Sequence, residues 1–328
     1  MIEKSEFFSS FIEIEKRPEF SPDQEVSPDN FKELVGEYRL DEDVICQVRT
    51  KKGICHKKHK IGWLGVTLNG QEALIGGHCA RTYFKADKTF GLERNRVRKE
   101  VERKKALYKL KSYKDNADSF SKRLSAVRQE IIDNRVKLDR IYKGFPNVVL
   151  KFIYDAQRMR SWTVKVDILG NDRHSKWTVS PLCNLNPIPK MHDVINLMNR
   201  VKEIAGFFDE ACQLNIDEIS TPRLKRILEI LSAMDDCEKL SLLYLMDITR
   251  FLEPKNLDAF IYVCDDPVEE FLTGRAILSV SGAKVSSDGH INLRIRRIKE
   301  RTEKQFGGYQ VRKNQLVERY QKNNVFTG

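Results

Sequence analysis

Cys46, Cys55, His56, His59, His78 and Cys79 fall within 34 residues of a 328-residue chain that holds seven cysteines and six histidines in all. Thiolates and imidazoles in sets of four are what a structural zinc ion requires. Cys46 and Cys55 flank Lys51-Lys52-Gly53, a turn able to bring two thiolates together. His59 follows Cys55 by four residues. Cys79 stands after the Gly76-Gly77 break, at a predicted helix start that favours the thiolate form. The spacing therefore predicts Cys46, Cys55 and Cys79 as ligands, with His59 or His78 as the fourth. His56 is disfavoured, because it adjoins Cys55 and both side chains cannot readily face one metal. The competing reading is a set of ordinary buried thiols and exposed histidines.

A zinc ion here is expected to be structural. A catalytic site keeps one position open and needs a base close by. Neither His-Glu-x-x-His nor His-x-Glu with Pro-Cys-x-x-Cys occurs, and Glu72 is the only acid between the first and last expected ligands. The module is too small for a large core, so a metal would supply part of its stability.

The stretches Ile54-Cys55-His56-Lys57-Lys58-His59 and Leu74-Ile75-Gly76-Gly77-His78-Cys79-Ala80 resemble small treble-clef-like zinc fingers of bacterial and phage proteins. Those fingers combine a cysteine pair, a nearby histidine, a β-hairpin and a Gly-x-x-Cys-Ala turn. The resemblance covers residues 46–84 and implies zinc binding, with no activity attached. It departs from the pattern in lacking Cys-x-x-Cys, since Cys46 and Cys55 are nine apart.

Positive side chains supply a second chemistry. Arg94, Arg96, Arg98, Lys99, Arg103, Lys104 and Lys105 follow the cysteine–histidine module directly. Arg294, Arg296, Arg297, Lys299, Arg301 and Lys304 form a second run. Such runs meet phosphates, releasing counterions and making binding salt-dependent. Tyr83, Phe84 and Phe90 stand near the first run; Phe84 and Phe90 are expected in the core rather than stacked on bases. The pairs Asp235-Asp236 and Asp265-Asp266 could hold magnesium, but their positions read as helix boundaries and caps. Cys183, Cys212, Cys237 and Cys264 read as free thiols, His174 reads as lying in a turn, and His290 stands beside a glycine. No phosphate loop, dinucleotide fingerprint or nucleophile elbow is present.

The elements that carry these groups follow from punctuation and period. Residues 1–43 read as an acidic segment: a short helix over 6–15, a proline-rich linker, and a second helix over 28–38 capped by Ser27. Residues 44–91 read as a β-rich zinc module, with a hairpin of strands 63–68 and 72–75 turning at Asn69-Gly70. Residues 92–145 read as a basic helical arm. With heptad position a on Leu110, Ala117, Leu124, Ile131 and Leu138, position d falls on Ala106, Tyr113, Phe120, Val127, Asn134 and Ile141. That stripe predicts a coiled coil over 106–141, for self-association or a protein partner, within an arm roughly 75 Å long if unbroken. Two alternatives stand beside it. The stripe packs on the chain's own helices, or the arm folds back near 115–121.

Residues 146–185 read as a three-stranded antiparallel meander built from 148–154, 162–168 and 177–179, turning at 170–172. Residues 186–274 read as a helical bundle. Residues 275–328 form a basic C-terminal region, with paired strands over 276–280 and 290–295 and helices over 295–305 and 310–321. The fold class is thus α+β and predominantly α.

Composition bounds the rest. Net charge is +11, distributed as −8 over residues 1–45, +16 over 46–145, −4 over 146–290 and +7 over 291–328. Such asymmetry predicts a polyanionic partner. No apolar run reaches the length of a transmembrane helix, and the acidic N-terminus has no secretory h-region. Seven cysteines make a disulfide framework unlike this chain, which is expected in the reducing cytoplasm. The sequence predicts a non-enzymatic zinc protein that binds DNA or RNA. The alternatives are a scaffold for an acidic protein, with the acidic N-terminus covering the arm, and an enzyme with no recognisable motif.

Overall fold

Residues 31–45 carry Phe31, Leu34, Val35 and Tyr38 at three- and four-residue spacing, a pattern that imitates a helix. In the computed structural model, which describes residues 5–170, 176–216, 218–282 and 287–315, they form one long strand. Both faces of this strand are covered, and three register shifts break its alternation, so no simple period of two survives. Ser27 still starts a turn, its carbonyl accepting from the Asn30 and Phe31 N–H groups.

The chain divides into two compact units, Met1–Asn116 with Ala211–Leu228, and Ala117–Glu210 with Glu229–Gly328. In the first unit the order is β1 (Glu6–Phe8), α1 (Phe11–Glu15), β2 (Phe31–Ile45), β3 (Arg49–Thr50), β4 (Gly53–Ile54), β5 (Lys58–Thr67), β6 (Glu72–Gly76), α2 (Gly77–Thr82) and α3 (Lys88–Asp115). The main sheet has the order β1-β2-β5-β6, with β1 parallel to β2 and the other pairs antiparallel. The β5–β6 hairpin turns at Asn69-Gly70 as expected, with Gly70 at φ 87°. Neighbouring residues enter opposite cores. Leu34, Trp63 and Ile75 join Phe84, Phe90 and Val97 on one side, while Val35, Leu64 and Leu74 join Phe8, Ile14 and Tyr38 on the other. Asp87 caps α3 by accepting from the Thr89 and Phe90 N–H groups.

Residues 1–43 are therefore not a segment apart from the β-rich module, and the helix expected over 6–15 is strand β1 followed by α1. The boundary expected near residue 43 falls inside β2, and the segment supplies a strand paired with β5 along its length. The acidic segment does lie against α3: Arg96 donates to Ser5 Oγ (2.8 Å), Lys104 to the Ser5 carbonyl (2.7 Å), and Lys105 sits over the Phe7 ring. It does so as part of the sheet, not as a removable cover.

In the second unit the elements are α4 (Ala117–Gly144), α5 (Asn147–Met159), β7 (Thr163–Leu169), β8 (Trp177–Asn184), α6 (Met191–Gln213), α7 (Thr221–Ser232), α8 (Met234–Phe251), α9 (Pro254–Ala259), a 3-10 turn (Phe260–Tyr262), α10 (Pro267–Val280), α11 (Asp288–Gln305) and β9 (Gln310–Lys313). Parts of α6 and α7 belong to the first unit. The expected continuous arm ends at Asn116, which is the C-cap of α3. From Phe120 onward the heptad stripe is spent inside the chain. Phe120 stacks on Phe208 at 4.5 Å, and Asn134 Nδ2 donates to the Ser241 carbonyl at 3.2 Å. α4 packs on α8 and α10. The alternative in which the stripe covers the chain's own helices is the one observed for α4.

Three expected strands are helices. Residues 148–154 lie in α5, where Val149, Ile153 and Ala156 form one buried stripe. Residues 276–280 and 290–295 lie in α10 and α11, which pack so closely that a Cβ on Gly274 would come within 2.9 Å of Ile295. Burial on several sides of α10 erased the helical period that sequence reading depends on. The third strand beside β7 and β8 is instead β9, from the segment expected to open a helix over 310–321. Residues 316–321, His174 and most of the 170–172 turn lie outside the described residues. The fold is α+β and mostly helical. Among the described residues no helix is long and apolar enough to cross a membrane.

Candidate metal centre and adjoining basic groove

Cys46 leaves the end of β2, and the chain returns to it after the β3–β4 hairpin. The Cys46 N–H donates to the Lys57 carbonyl (3.0 Å), the His56 N–H to the Cys46 carbonyl (3.1 Å) and the Cys55 N–H to the Val48 carbonyl (2.9 Å). This closure places Cys55 beside Cys46. His56 takes a left-handed conformation, φ 51°, to turn the chain there. The β5–β6 hairpin then delivers Cys79 on α2.

The three Sγ atoms lie within 4.8 Å of one another, and Cys55 and Cys79 are 3.4 Å apart. A tetrahedral zinc with bonds of about 2.3 Å holds its sulfurs about 3.8 Å apart. The cluster is close to that size. Backbone N–H groups already aim at the sulfurs. Gly76 donates to Cys46 Sγ at 3.4 Å, and the Val48 and Lys57 N–H groups favour the ionised forms of Cys46 and Cys55 respectively.

The thiols are not equivalent. Burial pushes Cys46 above the ordinary thiol range, against the pull of the Val48 and Gly76 N–H groups. Burial, and the hydrogen bond it donates to Cys55, push Cys79 up strongly. For Cys55 burial also pulls upward, but the Lys57 N–H and the other two thiols outweigh it and hold this group below the ordinary range. Cys55 is half-exposed and Cys46 and Cys79 are buried, so the accessible side of the cluster is at Cys55.

Neither expected histidine joins the sulfurs. His59 has both ring nitrogens engaged: Nε2 lies 2.5 Å from the Tyr38 hydroxyl and Nδ1 lies 3.2 Å from the Lys57 carbonyl. Tyr38 is fully buried and its hydroxyl needs that partner. Burial lowers the His59 pKa, keeping the imidazole neutral. Two glycines make the arrangement possible. A Cβ on Gly62 would lie 2.5 Å from the Tyr38 hydroxyl, and one on Gly76 would lie 3.2 Å from the His59 ring. His78 is exposed on α2, with Nε2 at 3.5 Å from Thr82 Oγ1. Its adjacency to Cys79 raises the objection that applies to His56 beside Cys55, because neighbours on a helix point about 100° apart.

Comparison with protein-family models, with curated proteins and with solved structures found no match to this chain.

The basic residues divide sharply by what they touch. Arg96 is bound to Glu93, Glu100, Ser5 and the Leu34 carbonyl, and this network raises its pKa; it builds the fold. Arg103 donates to Thr221 Oγ1 (3.0 Å). Lys104 and Lys105 hold the N-terminal segment, as described above. Lys99 is exposed. In the second unit Arg294 and Arg301 bind Asp258, Lys299 binds Glu270, and Arg296 and Arg297 are exposed. Phe84 and Phe90 are core residues, as expected.

Arg94 and Arg98 behave differently. They line a groove of about 500 Å³ together with Lys60, Arg81, His59 and His78, next to the helix that carries Cys79. The Arg98 guanidinium lies over the Trp63 ring at 5.0 Å. Sequence reading missed Lys60, Trp63, Arg81 and Tyr38. They come from three elements that only the sheet and α2 bring together, and the lone signal was the Arg81 position two residues after Cys79.

The remaining candidates are structural. Asp266 caps α10 by accepting from the Glu269 N–H (2.9 Å), and Asp235 in the first turn of α8 binds Arg123. Cys264 is buried against Phe260 and Thr273, and burial pushes its pKa to about 11. Cys183, half-buried, is likewise pushed up to about 11 by burial. Cys237 is buried and Cys212 exposed.

Proposed function

We propose that this chain is a non-enzymatic zinc protein whose first unit binds nucleic acid. The observation that carries the reading is the convergence of Cys46, Cys55 and Cys79, sulfurs within 4.8 Å, at the junction of β2, the β3–β4 loop and α2. Backbone N–H groups directed at two of the three sulfurs offset thiolate charge, a feature that a bare trio of core cysteines does not need. Zinc would take the three thiolates, with water in the fourth position on the Cys55 side. The ion would lock the β3–β4 loop and α2 onto the sheet, and thereby set the wall of the basic groove. Its role is structural: Glu72, the one acid in this stretch, is tied up with Arg17 at 2.7 and 2.8 Å.

The test has two arms. Elemental analysis of protein never exposed to chelator should find about one zinc per chain. Alanine at Cys46, Cys55 or Cys79 should abolish it, while alanine at His59 should not. Titration with single-stranded and duplex DNA and RNA at low salt should give dissociation constants below about 10 µM that weaken steeply with salt. Zinc-free protein from a chelator-free preparation removes the first half of the proposal. Absence of binding at low salt removes the second.

A further inference from the structure

The positive charge of α3 looks continuous in sequence, yet part of it is already committed. Arg96, Arg103, Lys104 and Lys105 each have partners within the first unit. Part of the charge that remains, Arg94 and Arg98, is gathered with cations of β5 and α2 in the groove beside α2. Four cations line it, Lys60, Arg81, Arg94 and Arg98, against one carboxylate, Glu37, which sits 3.8 Å from Arg98 Nε. Among the described residues Lys60 and Arg81 make hydrogen bonds to neutral carbonyls, of Asp41 (2.6 Å) and Gly77 (3.2 Å), so their charge is not neutralised by those contacts.

Arg94 is the telling residue. Its Nε is shut off from solvent and has no hydrogen-bond partner among the described residues. A guanidinium with no protein acceptor is costly to hold, and the edge of Arg94 that lines the groove can donate to a ligand oxygen. Arg98 is pinned by stacking on Trp63, whose indole is buried and forms an apolar floor. An anion there would be held by preorganised guanidinium forks over a surface that does not screen them. The groove's 500 Å³ suits a single nucleotide unit rather than a duplex segment.

We infer that the groove between β5, α2 and α3 binds the phosphate of one nucleotide unit, with Arg94 as the anchoring donor and Arg98, Arg81 and Lys60 completing the cradle. This deepens the nucleic-acid reading and rests on it for the source of the phosphate. Two sources share the chemistry, an internal phosphodiester and a terminal 5′-phosphate.

The experiment uses the full-length, zinc-loaded chain and fluorescent single-stranded oligonucleotides of about ten nucleotides, with and without a 5′-phosphate, at about 50 mM salt. Arg94→Gln and Arg98→Gln are compared with wild type and with the double variant Arg296→Gln/Arg297→Gln, which alters exposed arginines of the other unit. Thermal unfolding and zinc content confirm that each variant is folded. Arg94→Lys, which keeps the charge, and the exposed Arg98→Gln guard against a misfolded Arg94→Gln. The expected result is an affinity loss of about tenfold for each groove variant, partial recovery in Arg94→Lys, and a salt slope reduced by about one. A requirement for the 5′-phosphate assigns the site to strand ends, and indifference to it assigns the site to internal phosphates. Groove variants that bind within about twofold of wild type overturn the groove while leaving the nucleic-acid reading intact. If wild type binds no oligonucleotide but pyrophosphate raises its melting temperature in an Arg94-dependent way, the groove stands and the nucleic-acid reading falls. Binding of neither overturns both.

Discussion

Zinc uptake by Cys46, Cys55 and Cys79 should release protons and tighten steeply with pH. Two thiolates about 4 Å apart repel by about 4 kcal/mol at an effective dielectric of 20. The three sulfurs lie within 4.8 Å of one another, so three thiolates cannot persist without a cation. The distribution of protons follows from the shifts. Cys46 and Cys79 are pushed above the ordinary thiol range, so both are protonated at neutral pH, whereas Cys55 is pulled down and is the first to ionise. Zinc must replace the protons of Cys46 and Cys79 and whatever fraction remains on Cys55. Uptake therefore releases about two to three protons per ion, and the logarithm of the affinity rises by that number per pH unit. From pH 7 to pH 8 the gain is at least about 100-fold, or about 2.7 kcal/mol. Competition against a chromophoric chelator across that range measures the slope, and an indicator dye in weakly buffered solution counts the protons. Cys79→Ser should remove about one proton from the count as well as weakening binding. Release of fewer than about one proton per zinc, or an affinity flat in pH, would refute the reasoning.

Other consequences concern the scaffold. Glu72→Gln breaks a buried bidentate pair with Arg17 and should destabilise the first unit by about 3 kcal/mol in urea unfolding, at the low end for such pairs because Arg17 keeps some access to water and to Glu6. Gln47 is buried and bridges the carbonyls of Ser21, Pro22 and Gln24 to the Leu74 N–H. Gln47→Leu orphans these groups and should cost about 2–4 kcal/mol, with weaker zinc retention because Cys46 is its neighbour. Asn134→Leu removes an amide whose oxygen has no partner. It should change stability by less than about 1 kcal/mol in the same assay and leave the sedimentation coefficient unchanged, unlike a register-setting asparagine in a coiled coil. Deleting residues 1–40 removes β1, α1 and most of β2, so the cooperative unfolding of the first unit should vanish by calorimetry, where a mere acidic cover would leave it intact.

Local patterns carried the local elements. Asn69-Gly70 between two apolar runs specified the hairpin, because few other residues accept a positive φ there. The strict alternation of Trp162 to Ile168 specified β7, whose faces differ in exposure. Where both faces are buried, the period disappears. Residues 28–38, mostly in β2, read as a helix, and 276–280, the end of α10, as a strand, for the same reason seen from opposite sides. The α5 segment, rich in β-branched residues, became a helix because tertiary packing rewards the stripe of Val149, Ile153 and Ala156 more than propensity penalises Val148.

The cysteines were legible as a cluster from type and spacing alone, since thiols at 46, 55 and 79 have few other reasons to gather around two glycine turns. Charge was legible too, but only as a total. The structure decided which arginines are free. Arg96 and Arg94 are two residues apart, yet one is enclosed by Glu93, Glu100 and Ser5 while the other has an unpaired Nε at a groove. The structure also separated His59 from the three cysteines, by giving it to a buried tyrosine twenty-one residues away in sequence. The sequence by itself determined the chemistry present and the elements whose pattern faces one side only. The tertiary structure alone decided partnership, because a hydrogen bond or ion pair depends on which distant segment the sheet brings alongside.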